Sequence, residues 1–333
     1  MAQVDLPLAP PRDDSSRKNL VPQEAFSGRS VFSGENTRIW AKAASGARGD
    51  PVLRASSVME SGRAEASIRD KAASSGWPKE SDRGRQPRIL SPEAFLCNPP
   101  SQEEVDLLAE QSRRLEEASA EQIIQWAVEH YFPKLTMATA FGPEGCVILS
   151  LLAKIEPKVY VFNLDTGYQF PETLQLRDRI AQRYGIVVDL QRPDLSVEEY
   201  ERLHGGPVYK THPDQCCAER KIAVARRVVR GYAAWMCGLR RDQSPHRANA
   251  AIVGWDKKFG LVKINPLARW TSRQVWQRIA QEKIPYNPLH DQGYSSIGCW
   301  PCTRPVVFGE EERAGRWPGI CKTECGLHVQ EEQ

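Results

Sequence analysis

The sequence predicts an α/β domain built on a mostly parallel sheet, preceded by a disordered N-terminal extension. Three observations carry this. From Ser101 onward, short apolar runs alternate with helical patterns of about 10–15 residues, the signature of βαβ units. Before Ser101 neither period is sustained. Charge divides the chain at the same place. Of 45 Lys and Arg and 42 Asp and Glu, residues 1–100 hold 15 and 12, so the formal excess of +3 lies there and residues 101–333 are neutral.

The elements follow in order. Ser101-Gln102-Glu103-Glu104 is a capping box, and Val105, Leu107, Leu108 and Leu115 continue it as a helical stripe. A second helix carries Ile123, Ile124, Trp126, Ala127 and Val128 and stops near Pro133. Leu135–Ala140 reads as a strand, Glu144–Lys154 as a helix and Lys158–Asn163 as a second strand. Pro171–Tyr184 is a helix with proline in its first turn, where no N–H is needed. A third strand is expected at Ile186–Leu190, a helix at Cys216–Val229, a strand at Ala233–Gly238 and a helix at Thr271–Lys283.

Residues 1–100 lack such patterning. Pro10-Pro11, Ser27-Gly28, Ser45-Gly46 and Ser74-Ser75-Gly76 interrupt them, leaving too little apolar surface to offset ordering entropy. At most a short helix near residues 64–73 is expected. No stretch approaches the ~20 apolar residues of a membrane span, and Asp5, Asp13 and Asp14 break up any secretory signal. The neutral balance of residues 101–333 gives no general nucleic-acid face. The expected place is a cytoplasm.

Ligands on parallel sheets bind beyond the carboxyl ends of the strands, which singles out three loops. Phe141-Gly142-Pro143-Glu144-Gly145 leads into a helix N-terminus, where backbone N–H groups can hold an anion, or it is a plain connector. Leu164-Asp165-Thr166-Gly167 follows the second strand and is otherwise an Asx turn. Gly238-Leu239-Arg240-Arg241-Asp242-Gln243-Ser244 brings two guanidiniums to a strand end, suited to phosphate or sulfate oxygens, or else forms a solvated charge cluster.

Nine cysteines in a chain of this kind point to metal or redox chemistry. Cys146 and Cys237 lie within apolar patterns as small core residues, and Cys97 has no evident role. Cys216-Cys217 and Cys299-Trp300-Pro301-Cys302 supply four thiolates, enough for zinc or an iron–sulfur cluster. Adjacent ligands are unusual for structural zinc, which favours the cluster. Cys325 lies in Lys322-Thr323-Glu324-Cys325-Gly326-Leu327-His328, a segment that reads as a mobile tail carrying a reactive thiol.

Taken together, Cys216-Cys217, Cys299-x-x-Cys302, the Leu164–Gly167 and Gly238–Ser244 loops and Glu324-Cys325-Gly326-Leu327-His328 resemble the assimilatory adenylyl-sulfate (APS) reductases. These form the [4Fe-4S] branch of the phosphoadenylyl-sulfate reductase family. The resemblance covers about residues 102–333 and implies an adenine-nucleotide α-hydrolase-like (PP-loop) sandwich, with a catalytic tail at about 309–333. It implies reduction of APS to sulfite and AMP through an S-sulfocysteine on Cys325, released by reduced thioredoxin or a similar redoxin. Cys216, Cys217, Cys299 and Cys302 would ligate a [4Fe-4S] cluster. Thr139, Phe141 and Gly142 would line the nucleotide, with Leu164 and Thr166 near the adenosine. Lys221, Arg247, Arg313 and Arg316 match family cations, Arg240 adds a fifth, and His328 would contact substrate or end the tail. Trp300 would shield the cluster. His204, His212, His246 and His290 are expected at the surface. A homo-oligomer is possible, with no nucleic-acid or membrane partner.

Two departures from the family pattern bear on this. Ala140 stands where many relatives carry a hydroxyl, and Cys321 is extra, either an inert neighbour or a disulfide partner for Cys325. The competing readings are a PAPS or dual APS/PAPS reductase with the same mechanism, a PP-loop adenylyl transferase, and a non-catalytic zinc or nucleotide-binding module. The transferase would want a Ser-Gly-Gly-x-Asp-Ser loop, which Thr139–Gly145 does not supply.

Overall fold

The computed structural model describes residues 99–328. The disordered extension, the helix near 64–73 and Cys97 lie outside the described residues. Two helices open the described residues, α1 (Gln102–Arg114) and α2 (Ala120–Tyr131), each started by a reciprocal capping box at Ser101 and Ser119. The βα alternation then runs β1 (Leu135–Ala138), α3 (Pro143–Ile155), β2 (Tyr160–Leu164), α4 (Pro171–Tyr184) and β3 (Val188–Gln191). A helical excursion follows through α5 (Val197–His204), α6 (Val208–Thr211), α7 (Pro213–Cys217), a π turn (Ala218–Ile222) and α8 (Ala223–Val229). The chain returns as β4 (Ala234–Met236), β5 (Val253–Asp256) and β6 (Leu261–Ile264), then α9 (Ser272–Glu282).

The six strands form one sheet in the order β3-β2-β1-β4-β6-β5, parallel throughout except for β5 against β6. Side chains alternate across it. Leu135, Met137, Val161, Ala234, Met236, Val262 and Ile264 join the larger core with the flanking helices. Phe162, Leu164, Trp235 and Leu261 face the other way and pack with Val224, Ala225 and Val229 of α8. Both faces are therefore covered, as a parallel sheet requires. Winding outward from β1 to β3 and returning to β4 on the other side of β1 leaves a crevice beyond the carboxyl ends of β1 and β4.

The expected helix over Cys216–Val229 is helical but not uniform. A π turn at Ala218–Ile222 interrupts it, a distortion that re-aims side chains and recurs at functional sites. The β5–β6 pair lies where no strand was expected. None of the described helices is long and apolar enough to cross a membrane.

Candidate functional site

The first loop after the sheet is built around Thr139. Its hydroxyl accepts from the Phe141 N–H at 3.0 Å, and its carbonyl accepts from Asn163 Nδ2 at 2.8 Å. Phe141 turns the chain at φ 57°, a left-handed conformation rare for a bulky residue. Its ring goes into the core, 1% exposed, and does not line the crevice; the contribution of Phe141 is the turn. Gly142 then caps α3, with Pro143 at its first position. Gly145 is needed for space, since a Cβ there would lie 2.6 Å from Thr139 Oγ1.

The crevice is lined by Thr139, Gly142, Leu164, Thr166 and the first turn of α3. On its far side stand Lys221, Arg247, Arg313, Arg316, Cys325 and His328. Thus residues distant in sequence meet at one place because β1, β2, β4 and the tail all end there. Gln169 fixes the second loop by donating to Asn163 Oδ1 at 2.7 Å and to the Leu164 carbonyl at 3.0 Å. Asp165 makes the Asx turn, accepting from the Gly167 N–H at 3.0 Å.

Arg240 and Arg241 are placed differently from the reading of their loop. Arg240 is 1% exposed and outside the crevice lining. Its Nε donates to Glu144 at 2.7 Å, Nη2 to both oxygens of Glu312 at 3.0 Å, and Nη1 to Asp242. Arg241 is bonded to Glu116 and to the Ala250 carbonyl. Every nitrogen of Arg240 has a carboxylate, so it holds the α3 start, its own loop and the tail segment together.

Behind the crevice lies a second cavity, small and almost wholly apolar, lined by Cys216, Cys217, Cys299 and Cys302. All four are free thiols. Burial pushes the Cys216 thiol up to about 12 and the Cys302 thiol up to about 11, with the neighbouring sulfurs adding to both. Four thiolates could share this cavity only with strong positive charge among them, which metal ions supply. Among the described residues no group of three or more His, Cys, Asp or Glu converges so as to hold one metal ion. Four soft sulfur donors standing around an apolar cavity fit a multi-iron cluster, whose irons lie between the ligands. Trp300 is 50% exposed and packs edge-on against Tyr168 and Tyr209 beside this cavity.

Thr166, Lys221, Cys299 and Arg316 line both cavities and form the partition between them. Thr166 Oγ1 lies 3.2 Å from Cys299 Sγ. Arg220, which drew no attention in the sequence, anchors this wall. It is 3% exposed, donates to the Thr166 carbonyl at 2.8 Å, and lies over the Tyr168 and Tyr200 rings.

The tail is docked as far as His328. Leu327 packs on the cluster containing Phe162 and Trp235, Lys258 donates to the Gly326 carbonyl at 2.7 Å, and Lys322 pairs with Asp214. Gly326 takes φ 80°, the left-handed turn glycine allows. Burial raises the Cys325 thiol, but Lys221, the Leu327 N–H and Arg316 outweigh it and hold it below the ordinary thiol value. Burial works against the charge on Lys221, but the thiolate forms of Cys325, Cys299 and Cys217 outweigh it and raise its pKa. Neither Lys221 nor Arg316 has a carboxylate partner among the described residues. Burial, with repulsion from Arg247, lowers Arg313 to about 10. Cys321 is exposed and free, as is the partly buried Cys325.

His290 was expected at the surface and instead lines the crevice. Its Nδ1 lies 2.6 Å from the Tyr294 carbonyl and so carries the proton, leaving Nε2 as a buried acceptor without a donor. Only its place in a loop rich in polar residues was visible in the sequence. Burial lowers the pKa of His290, and that of His328 lies well below the ordinary value for burial and nearby cations.

Comparison with known proteins bears on this geometry. Residues 134–305 match the family described as phosphoadenosine phosphosulfate reductase domain. The chain is 45% identical over 221 residues to the phosphoadenosine 5'-phosphosulfate reductase of Gloeobacter violaceus, covering 66% of this chain and 92% of that protein. It is 44% identical over 207 residues to adenosine 5'-phosphosulfate reductase 1 of Bacillus subtilis, covering 62% and 89%. Among solved structures, the phosphoadenylyl-sulfate reductase of Candida auris in its phosphate complex superposes with a TM-score of 0.55 at 33% identity, covering 63% of this chain and 99% of that one.

Proposed function

Since this chain belongs to the phosphoadenosine phosphosulfate reductase domain family, we propose that it reduces adenylyl sulfate to sulfite and AMP in sulfate assimilation, with a redoxin as electron source. The observation that carries this is the grouping of a thiol and two cations. Cys325, held below the ordinary thiol value, stands beside Lys221 and Arg316, which have no carboxylate partner among the described residues, in a crevice at the strand ends. Two cations beside a single thiolate leave positive charge uncompensated, which is costly when desolvated, and a substrate anion compensates it.

The nucleoside lies along Thr139, Gly142, Leu164 and Thr166, with the phosphate toward the α3 N-terminus. Lys221 and Arg316 neutralise the sulfate oxygens, and Arg313 keeps donors on Nε and Nη1 for the same anion. The Cys325 thiolate attacks the sulfate sulfur. The bond from sulfur to the bridging oxygen breaks, and AMP leaves with that oxygen and the electron pair. A thiolate of reduced thioredoxin then attacks Cys325 Sγ and expels sulfite, giving a mixed disulfide. The second redoxin thiol resolves it, returning Cys325 and leaving the redoxin oxidised, so the dithiol supplies both electrons. A docked, partly buried sulfur is closed to a protein nucleophile, so the tail must undock between the two steps.

Cys216, Cys217, Cys299 and Cys302 would hold a [4Fe-4S] cluster. Bound there, it contributes fixed charge and geometry behind the partition residues. Thr166, Lys221 and Arg316 carry that influence to the substrate side. A cytoplasmic place suits the free thiols.

The test is sulfite release from APS and from PAPS with reduced thioredoxin. Turnover of APS lost in Cys325→Ser supports the reading. A Cys325→Ser enzyme that still releases sulfite overturns it, and preference for PAPS would reassign the substrate to the 3'-phosphorylated nucleotide.

A further inference from the structure

Four cations surround the nucleophile, but the chain uses them in two ways. Arg247 and Arg313 converge on Glu324, the residue before Cys325. Arg247 donates through Nε at 2.9 Å and Nη2 at 2.8 Å, and Arg313 through Nη2 at 3.0 Å. The Glu324 carboxylate is 6% exposed, and its guanidinium partners 9% and 15%. The remaining nitrogen of Arg247 donates to Gln243 at 2.5 Å, so all three of its nitrogens are engaged by the protein itself. Arg313 Nη2 also donates to the Thr323 carbonyl at 3.0 Å, gripping the backbone next to the carboxylate. Among the described residues, Lys221 and Arg316 stay without a carboxylate.

A bidentate guanidinium–carboxylate pair fixes direction as well as distance. Glu324 and Cys325 share a peptide bond, so fixing one carboxylate fixes the path of the next residue to within one Cα step of about 3.8 Å. We infer that Glu324 is a positioning residue for the nucleophile: clamped by Arg247 and Arg313, it docks the tail so that the Cys325 sulfur meets Lys221 and Arg316. The inference rests on Cys325 being the reactive thiol. It divides the cations expected to grip the substrate: Arg247 holds the tail, Arg313 serves both, and Lys221 and Arg316 receive the anion.

The test uses Glu324→Gln in the full-length chain, with Glu324→Asp as the conservative variant. Alkylation by iodoacetamide, without substrate, is followed at Cys325 and Cys321 by peptide mass mapping. Losing charge-assisted bonds should release the tail and speed Cys325 alkylation by about tenfold or more, while the already exposed Cys321 reacts as before. In turnover, kcat should fall by about tenfold or more with KM within about threefold, because the anion's own cations remain. Glu324→Asp should recover part of both. Arg247→Met should reproduce the alkylation change, and the double variant should add little to either. Unchanged Cys325 alkylation, equal acceleration at Cys321, or a raised KM with unchanged kcat would each overturn the assignment. The alkylation arm needs no nucleotide, so it judges the clamp even if APS proves not to be the substrate.

Discussion

Replacing Arg240 by methionine should unfold the protein more readily while leaving substrate affinity alone. The side chain is 1% exposed and ties Glu144, Asp242 and Glu312 together. Methionine fills similar length but leaves these carboxylates without a cation. Asp242, 39% exposed, can turn to water and contributes little. Glu144 and Glu312 are 10% and 30% exposed and cannot both do so. Stranding a buried charge costs about 3–5 kcal/mol, and the partial exposure of Glu312 argues for the lower end. For a domain of this size about 3 kcal/mol is a Tm drop of roughly 6–12 °C. The pH dependence gives a second reading. Burial already holds Glu312 above the usual carboxylate range, with Arg240 opposing and Glu144 adding to it. Without Arg240 it rises further, so the folded state binds a proton that the unfolded state releases, and stability recovers as pH falls. The deficit should therefore be smaller at pH 5.5 than at pH 8, by thermal unfolding followed by circular dichroism. An unchanged Tm together with a large rise in KM for the nucleotide would refute this and return Arg240 to the substrate.

Three further outcomes are expected. Lys221→Gln should lose about 1.5–3 kcal/mol of transition-state stabilisation, read as a drop in kcat/KM of roughly tenfold to over a hundredfold, and a loss under threefold would remove Lys221 from the anion site. Gly298→Ala would put a Cβ into the Arg316 guanidinium, which is the free end of a flexible side chain; KM should rise about tenfold while Tm moves by no more than about 3 °C, and a normal KM would contradict the role of Arg316. His290 and His328 are held neutral by burial, so below their unfolded pKa of about 6.5 the unfolded state takes up protons that the folded state refuses. Stability should fall as pH drops below about 6.5, by up to about 1.4 kcal/mol per unit for each histidine, and a double His→Gln variant with the same slope would disprove it.

The sequence carried the scaffold where one element announces itself. The Ser101 capping box, Pro171 at a helix start and the apolar runs of β1, β2 and β4 are local signals, and each element formed near its expected bounds. The β5–β6 pair was not legible, because four-residue strands carrying Gly254, Asp256 and Lys263 show too short an alternation. The π turn was hidden too, since Ala218–Ile222 reads as ordinary helix until packing widens it. At the site the cysteine spacings pointed to one place, and the structure brings Cys216, Cys217, Cys299 and Cys302 to one cavity. The arginines misled for a physical reason. A guanidinium at a strand end announces an anion but not which one, and for Arg240 the anions are Glu144 and Glu312, far away in sequence. The pairing of Glu324 with Arg247 and Arg313 was hidden in the same way, as was the cavity-facing nitrogen of His290, which depends on a carbonyl four residues on.

The central claim is that Cys325 takes the sulfur from the nucleotide. The most direct measurement is mass mapping of the enzyme after incubation with APS in the absence of any redoxin. The account predicts one added SO3 group, on the peptide containing Cys325, formed with release of an equal amount of AMP and removed as sulfite when reduced thioredoxin is added. AMP released with Cys325 unmodified, or the added group on any other cysteine, would contradict it.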